Sequence, residues 1–474
     1  MLYTIDELKQ CFYDDIFFID ENKNKNIEKV VFDSRDVCKN CLFFALIGET
    51  NDGHKFIENA IENGAICVVG QYIPDNIKNK VENGDISFIL VKDSLKAFQK
   101  LAIFHRNRLK CKVIGITGNI GKTTTREMMN LSMSAFYKTY TNKLNYNGQI
   151  GIPYTICNTP MDTEMLILEM GMSQKGELDI ISKIAKPDIS IITKIAPAHI
   201  GNFNNIEEVV EAKAEIFNGM NKNGYIILDK EGEYYNKFVE LSKNNGLNNI
   251  ITIGKNNNAN IYSSGIEFNN DCSISYDLNI DNIKYRVKMN CLIEHNVFNS
   301  LFVFAVAKIL HLDINKVIKS LEEFKIVNGR GNIENLTVNN KNIFIINDCY
   351  NSSPDALKSS IKYLRNIQNI YKDKHTVAII GDMLELGEDS TFYHQQISQY
   401  LIDNNIKQVV LIGECSKVIF DNLPDNIEKL YFKNTSEFES EILNYIKDND
   451  ILLFKASRGM HFENLIKKLK NNTN

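Results

Sequence analysis

The sequence predicts an α/β protein of three domains, with a central domain built on a parallel sheet around a phosphate loop (P-loop) and a C-terminal Rossmann-like domain. Three observations carry that reading. The chain has 474 residues, too many for one hydrophobic core, and about three domains is the fair division. Short β-branched runs alternate with helical patterns along most of it, the order that gives parallel strands joined by crossover helices. The stretch from Val113 to Thr125 runs from a buried strand through Gly118-Asn119-Ile120-Gly121 into a helix opened by Lys122, Thr123 and Thr124. Strand, glycine turn, lysine, hydroxyl and helix together make a cradle for a nucleoside triphosphate. Backbone N–H groups close on oxyanions, the helix N-terminus adds its positive end, Lys122 adds a charge and Thr123 reaches Mg²⁺. Ile116 stands where the common phosphate-loop pattern has its first glycine.

In chain order, the first domain (1–108) carries short strands at 30–33, 42–46 and 65–69, with helices near 56–63 and 95–107. The second (109–328) carries strands at 112–117, 165–169, 189–195, 225–228 and 250–253. An alternating polar stretch at 261–289 is expected as antiparallel strands on one edge, and a helix at 297–310 closes the domain. The pattern loosens at 327–332, which sets the next boundary. The third domain (329–474) has strands at 343–346, 377–380, 409–412 and 451–454, a helix after Pro354 and a helix at the end.

Composition narrows the function. A formal charge of -5 with 44% hydrophobic and 24% charged residues describes an ordinary globular protein, with no basic stripe for nucleic acid and no polybasic patch for a membrane surface. The first eight residues have neither a basic nor an apolar segment, and the most apolar run, 301–310, is short and interrupted by Lys308. A cytoplasmic protein without membrane insertion is expected. Ten cysteines scattered over this length make no disulfide framework. Cys38-Lys39-Asn40-Cys41 is a lone C-x-x-C. Zinc would need a second pair and a redox motif would open a helix, whereas this one precedes a β-like run, so it is assigned no role.

In open α/β sheets ligands collect beyond the carboxyl ends of the strands. The phosphate loop, Glu169, His199 and Lys213 all sit at such ends in the central domain. Glu169 is placed to give Mg²⁺ an oxygen ligand, directly or through water. His199 is either a ligand or a hydrogen-bonded structural histidine. Asn205 and Glu208 form a capping pattern for a helix whose apolar stripe runs through Ile206, Val209, Val210, Ile216 and Phe217, and Lys213 falls on that stripe. A lysine there either snorkels or meets a strong partner. In the last domain Asp348, Asp382 and Lys455 follow strands, as though a second sheet faced the first across a cleft, with Arg330 at the boundary within reach of a nucleotide lodged there. A nucleotide-dependent switch shares the phosphate loop, but a guanine-specific one also carries N-K-x-D, and no Asn-Lys pair here is followed by Asp two residues on.

Several stretches together carry a resemblance: Asp33-Ser34-Arg35, Asp52-Gly53-His54, Asn145-Tyr146-Asn147-Gly148, Glu169-Met170-Gly171, the segment around Lys213, His295-Asn296, Gly329-Arg330, Asp348-Cys349-Tyr350-Asn351, the run from Gly381 to Gly387 and Ser457-Arg458-Gly459-Met460. With the phosphate loop they make the chain similar, nearly end to end, to the ATP-dependent Mur ligases of peptidoglycan synthesis. The Gly381–Gly387 and Ser457–Met460 segments look like the members that add D-alanyl-D-alanine to UDP-N-acetylmuramoyl-tripeptide. Another ligase of the same chemistry, such as a folylpolyglutamate synthase, should lack the Gly381–Gly387 and Asp33–Arg35 segments.

The resemblance implies the nucleotide sugar on the first domain, ATP on the second and the incoming dipeptide near the third. It implies that Gly118, Asn119, Ile120, Gly121, Lys122, Thr123 and Thr124 cradle ATP, with Asn296, Arg330 and Asp348 on the nucleotide. Thr123 and Glu169 would hold one Mg²⁺, and His199 with Lys213 a second, Lys213 carrying a carbamate. Lys122, His199 and Lys213 would be the catalytic residues, and Ser34, Arg35, Asn145 and Asn147 would line the sugar-nucleotide and peptide site. A monomer acting on small molecules is expected. The chain departs from the family pattern at Lys194 and Ala196, usually Asn and Gly, and at Cys349, Ser353 and Ala456.

Overall fold

The computed structural model describes residues 2–18, 26–48, 50–143, 145–196, 203 and 205–473. Among these, the strands form three sheets. The first has five strands, in the spatial order Ile16–Phe18, Ser87–Leu90, Ala65–Gly70, Cys41–Phe44 and Lys29–Val31. Only its first pair is antiparallel.

The central sheet has nine strands. Lys112–Thr117 lies third from one edge, between Ile189–Ile192 and Met165–Glu169, and all three run parallel. These strands are buried along nearly their whole length, as strands covered by helices on both faces must be. Tyr225–Asp229 and Asn249–Gly254 continue the sheet in parallel, and Ile261–Phe268, Ile274–Ile280 and Ile283–Met289 finish it with antiparallel pairs. The helix Glu294–Ile309 packs against this end, its middle buried on all sides.

The strands expected at 30–33 and 42–46 end two residues early, at Val31 and Phe44, and the one expected at 189–195 is cut most. The run begun at Ile189 leaves the sheet after Ile192 because the carbonyl of Lys194 is taken by the phosphate loop: the N–H groups of Asn119 and Ile120 both donate to it, at 3.0 and 3.1 Å. The third sheet has six strands, with Asp450–Lys455 between Lys341–Asn347 and His375–Gly381. Its antiparallel edge, Asn332–Val338, begins where the sequence pattern loosens.

The first and second domains share one apolar core that runs from Tyr3, Phe12 and Phe44 to Val113, Leu166 and Ile181. Asn158 adds a polar clasp. Its side-chain oxygen accepts from Val30 N–H and its amide donates to Val30 O, both at 2.9 Å, extending the edge of the first sheet with a side chain from the second domain. The two faces of the third sheet have separate cores, around Leu364 and Ile380 on one side and Phe438 and Phe454 on the other. Among the described residues no helix is long and apolar enough to cross a membrane.

Candidate active site

The phosphate loop leaves the strand Lys112–Thr117 and enters the helix Lys122–Met133. Two of its glycines are required by geometry. Gly118 has φ 136° and any Cβ there would stand 2.1 Å from Thr193 Oγ1; Gly121 has φ 92° and faces Asn299 Oδ1 at 2.7 Å. Ile116, in place of a glycine, is simply a buried strand residue paired with Glu169. Gly121 caps the helix without a side-chain hydrogen bond, so the first-turn N–H groups are left for a ligand. Lys122 Nζ donates to the loop's own carbonyls, Gly118 O at 2.8 Å and Asn119 O at 3.1 Å. Burial lowers its pKa, Glu169 opposes that and Arg330 adds to it.

Glu169 closes the neighbouring strand and is 4% exposed. Thr123 Oγ1 donates to its Oε2 at 2.8 Å, Asn147 Nδ2 donates to its Oε1 at 2.9 Å, and Arg126 Nη1 lies 3.5 Å from Oε2. Its backbone is clamped by Asn142, which accepts from Glu169 N–H at 2.9 Å and donates to Glu169 O at 3.0 Å.

Lys213 sits on the helix Ile206–Ala214, which Asn205 caps by accepting from Glu208 N–H at 2.9 Å. It is 3% exposed. Burial first, then the Lys122 charge, push its pKa well down, against Glu169, Glu177 and Glu215.

These groups line one cavity of about 920 Å³ between the central and third domains. Gly118, Asn119, Gly121, Lys122, Thr123, Thr124, Glu169, Lys213, Asn145, Asn147 and Arg330 all face it. Arg330 reaches across, its Nη2 donating to Thr123 Oγ1 at 3.4 Å, while its guanidinium stacks 4.0 Å from the centroid of the Tyr350 ring. Arg458 lies over the same ring at 5.3 Å. The third domain adds Leu384 and Glu385 to the wall, on a loop held by Ser457 Oγ, which accepts from Leu384 N–H at 2.9 Å.

Other expected residues lie elsewhere. Ile120 is part of the loop but outside the cavity lining, its N–H engaged by Lys194 O. Asn296 is buried behind the loop, its Oδ1 accepting from Asn299 Nδ2 at 3.2 Å. Asp348 accepts from Lys455 Nζ at 2.8 Å and from Ser360 Oγ at 2.5 Å, beneath the cavity wall. Ser34 and Arg35 occupy a short turn of the first domain, where Asp33 accepts from Arg35 N–H at 2.9 Å and pairs with its guanidinium at 2.6 Å. That turn faces Tyr146: burial pushes the Tyr146 phenol up, and Asp36 and Asp33 add to the effect. His199 lies outside the described residues. Sequence reasoning did not single out Arg126, although it stands one helical turn after Lys122, the spacing that puts two residues on one face. Tyr350, the ring that both Arg330 and Arg458 approach, was also not given a role.

The residues present suit a magnesium triphosphate. A hydroxyl and a carboxylate 2.8 Å apart are the hard oxygen donors that Mg²⁺ selects, beside an uncapped helix N-terminus and a lysine.

Three family models match the chain: Mur ligase family, catalytic domain, over residues 26–106; Mur ligase middle domain over 116–307; and Mur ligase, glutamate ligase domain, over 334–458. Among curated relatives, the UDP-N-acetylmuramoyl-tripeptide–D-alanyl-D-alanine ligase of Rickettsia prowazekii is 33% identical across 94% of this chain and 96% of its own length. The ligase of the same name from Bacillus subtilis is 32% identical across 94% and 93%. Among solved structures, MurF from Acinetobacter baumannii shares the fold with a TM-score of 0.86 at 24% identity, covering 99% of both chains. MurF ligase from Thermotoga maritima in complex with ADP gives 0.79 at 24% identity, covering 95% of this chain and 99% of its own. With models for all three domains and relatives matched over nearly the whole length, the chain belongs to the Mur ligase family of ATP-dependent ligases.

Proposed function

We propose that the protein adds D-alanyl-D-alanine to UDP-N-acetylmuramoyl-tripeptide at the expense of ATP, making the pentapeptide precursor of peptidoglycan. The observation that supports this most is that full-length relatives of that name share a chain whose phosphate loop, Glu169 and Lys213 converge on one cavity with the third domain's loops.

A carboxylate is a poor acyl donor because its leaving group is oxide. Transfer of the γ-phosphoryl group to the tripeptide's terminal carboxylate gives an acyl phosphate and ADP. The dipeptide amine then attacks the acyl carbon, forming the amide and releasing phosphate. Lys122 and the free N–H groups of the helix opened by it hold the phosphates and stabilise charge that develops on transfer. Thr123 and Glu169 would hold a first Mg²⁺, and His199 with Lys213 a second, and the metals would supply positive charge against the phosphates. Arg330, Asn296 and Asp348 belong to the nucleotide side, and Ser34, Arg35, Asn145 and Asn147 to the nucleotide-sugar and peptide side. Closure of the third domain over the cavity excludes water that would hydrolyse the acyl phosphate.

Lys213 is best read as a carbamate. Its lowered pKa favours the free amine, the species that captures carbon dioxide with loss of one proton. The product is an anionic oxygen ligand, whereas an ammonium would repel Mg²⁺. The protein acts in the cytoplasm, where its substrates and ATP are, as a monomer.

The test is direct. UDP-N-acetylmuramoyl-tripeptide, D-alanyl-D-alanine and Mg²⁺-ATP are mixed with the protein, and the pentapeptide product, ADP and phosphate are measured. A folded, ATP-binding preparation that makes no pentapeptide overturns the proposal.

A further inference from the structure

Cys38 and Cys41 bracket a tight turn of the first domain. Asn40, between them, takes φ 63°. Its N–H donates to Gly64 O at 3.1 Å, its carbonyl accepts from Glu28 N–H at 3.0 Å, and its side-chain amide donates to Glu28 Oε1 at 3.0 Å. Held this way, the turn leaves Cys38 Sγ and Cys41 Sγ 3.0 Å apart in a thiol–thiol hydrogen bond, with Cys38 N–H donating to Cys41 Sγ at 3.2 Å. A disulfide needs about 2.05 Å between sulfurs, so closure takes about 1 Å of travel.

The two thiols are unequal. Cys38 is exposed and Cys41 is buried at the start of the strand Cys41–Phe44. Burial, with the Cys38 hydrogen bond adding, pushes the Cys41 thiol up to about 12. The outer thiol meets solution reagents first and the inner one waits 3.0 Å away, so a mixed disulfide forms on Cys38 and Cys41 is placed to resolve it. The motif precedes a strand rather than opening a helix, so a helix dipole is absent from this arrangement; the turn alone supplies the proximity.

We propose that Cys38 and Cys41 form a reversible redox-modification site for the disulfides of small thiols. The Cys38 thiolate attacks one sulfur of the small disulfide, breaking its S–S bond and releasing a small thiolate that takes up a proton. Cys41 then gives up its proton and attacks Cys38 Sγ, expelling the second small thiol. The protein pair loses two electrons and two protons, and the small disulfide becomes two small thiols. Excess small thiol runs the sequence backwards. The site lies just beyond the Ser34–Asp36 turn and stands whether or not the ligase reading does.

The full-length native protein is treated with oxidised glutathione, alkylated and mapped by peptide mass. The expected result is a peptide spanning Cys38 and Cys41 that has lost two hydrogens and escapes alkylation, and that regains both alkylation sites after excess reduced glutathione. Cys41→Ser should stop with one glutathione on Cys38, and Cys38→Ser should leave Cys41 free. The proposal is overturned if both cysteines of the wild type stay open to alkylation, if the wild type halts at the mixed disulfide, or if Cys38→Ser takes glutathione on Cys41 as fast as the wild type reacts. The wild type alone separates dithiol from disulfide, so a variant that fails to fold leaves the test intact.

Discussion

Thr123 Oγ1 donates to Glu169 Oε2 at 2.8 Å, joining the first turn of the phosphate-loop helix to the carboxyl end of the adjacent strand. The bond crosses the boundary between two elements that are 46 residues apart in sequence and fixes two hard oxygens at one spot. Glu169→Gln keeps the shape and removes the charge. It should lower kcat/KM by on the order of 10²-fold and raise the Mg²⁺ concentration needed for half-maximal rate. Phosphate release measured over a magnesium titration checks this; an unchanged titration curve would remove Glu169 from the metal site.

Lys122 is tethered to Gly118 O and Asn119 O, which presets its ammonium over the loop. Lys122→Met retains the stem and loses the charge. Amide synthesis should fall by about 10²- to 10³-fold while the thermal midpoint changes little, since the stabilisation at issue is that of transferring phosphate. Pentapeptide formation under saturating substrates is the measurement, and near-wild-type synthesis would refute the phosphoryl-transfer role.

Lys213 makes a prediction about preparation history. Protein stripped of carbon dioxide at mildly acidic pH, then assayed in degassed buffer, should have lost most of its activity, and bicarbonate should restore it over minutes. Lys213→Ala should respond to neither treatment. Equal rates with and without bicarbonate in the wild type would exclude the carbamate.

His105 predicts a pH effect on stability that is separate from the site. It is fully buried, its Nε2 donates to Thr159 O at 2.8 Å, and among the described residues its Nδ1 has no hydrogen-bond partner. Burial lowers its pKa to about 4, only partly offset by the Thr159 bond. The unfolded chain, titrating near 6.5, therefore binds a proton before the folded one does. Its contribution is complete above about pH 6.5 and is lost as pH falls toward 4, amounting to about 3 kcal/mol. Urea unfolding between pH 7 and 4 reads this out. His105→Phe should flatten that dependence, and an unaltered slope in the variant would assign the loss to other groups.

Much of this architecture is written locally and so was readable in the chain. The phosphate loop is contiguous, and Lys213 stood out because helical periodicity put a charge on an apolar stripe. Glu169 was readable because a strand ending in a carboxylate beside such a loop has few other uses. What sequence hid depends on distant partners. Asn332–Val338 alternates half-buried and exposed residues as an edge strand does, and it was not read as a strand because only its pairing with Lys341–Asn347 defines it. The strand begun at Ile189 was drawn too long because nothing local shows that Lys194 O belongs to the phosphate loop. Arg126 looks like a solvated helix residue until Glu169 is set 3.5 Å away.

Arg330 is mounted on the segment that leads into the third sheet, yet its guanidinium reaches Thr123 in the first turn of the phosphate-loop helix. A triphosphate that claims this hydroxyl must either share it with that guanidinium or dislodge it. A residue at the entry to the third sheet thus touches the hydroxyl that opens the phosphate-loop helix, so the two walls of the cavity are tied through one polar contact at the place where a triphosphate would lie.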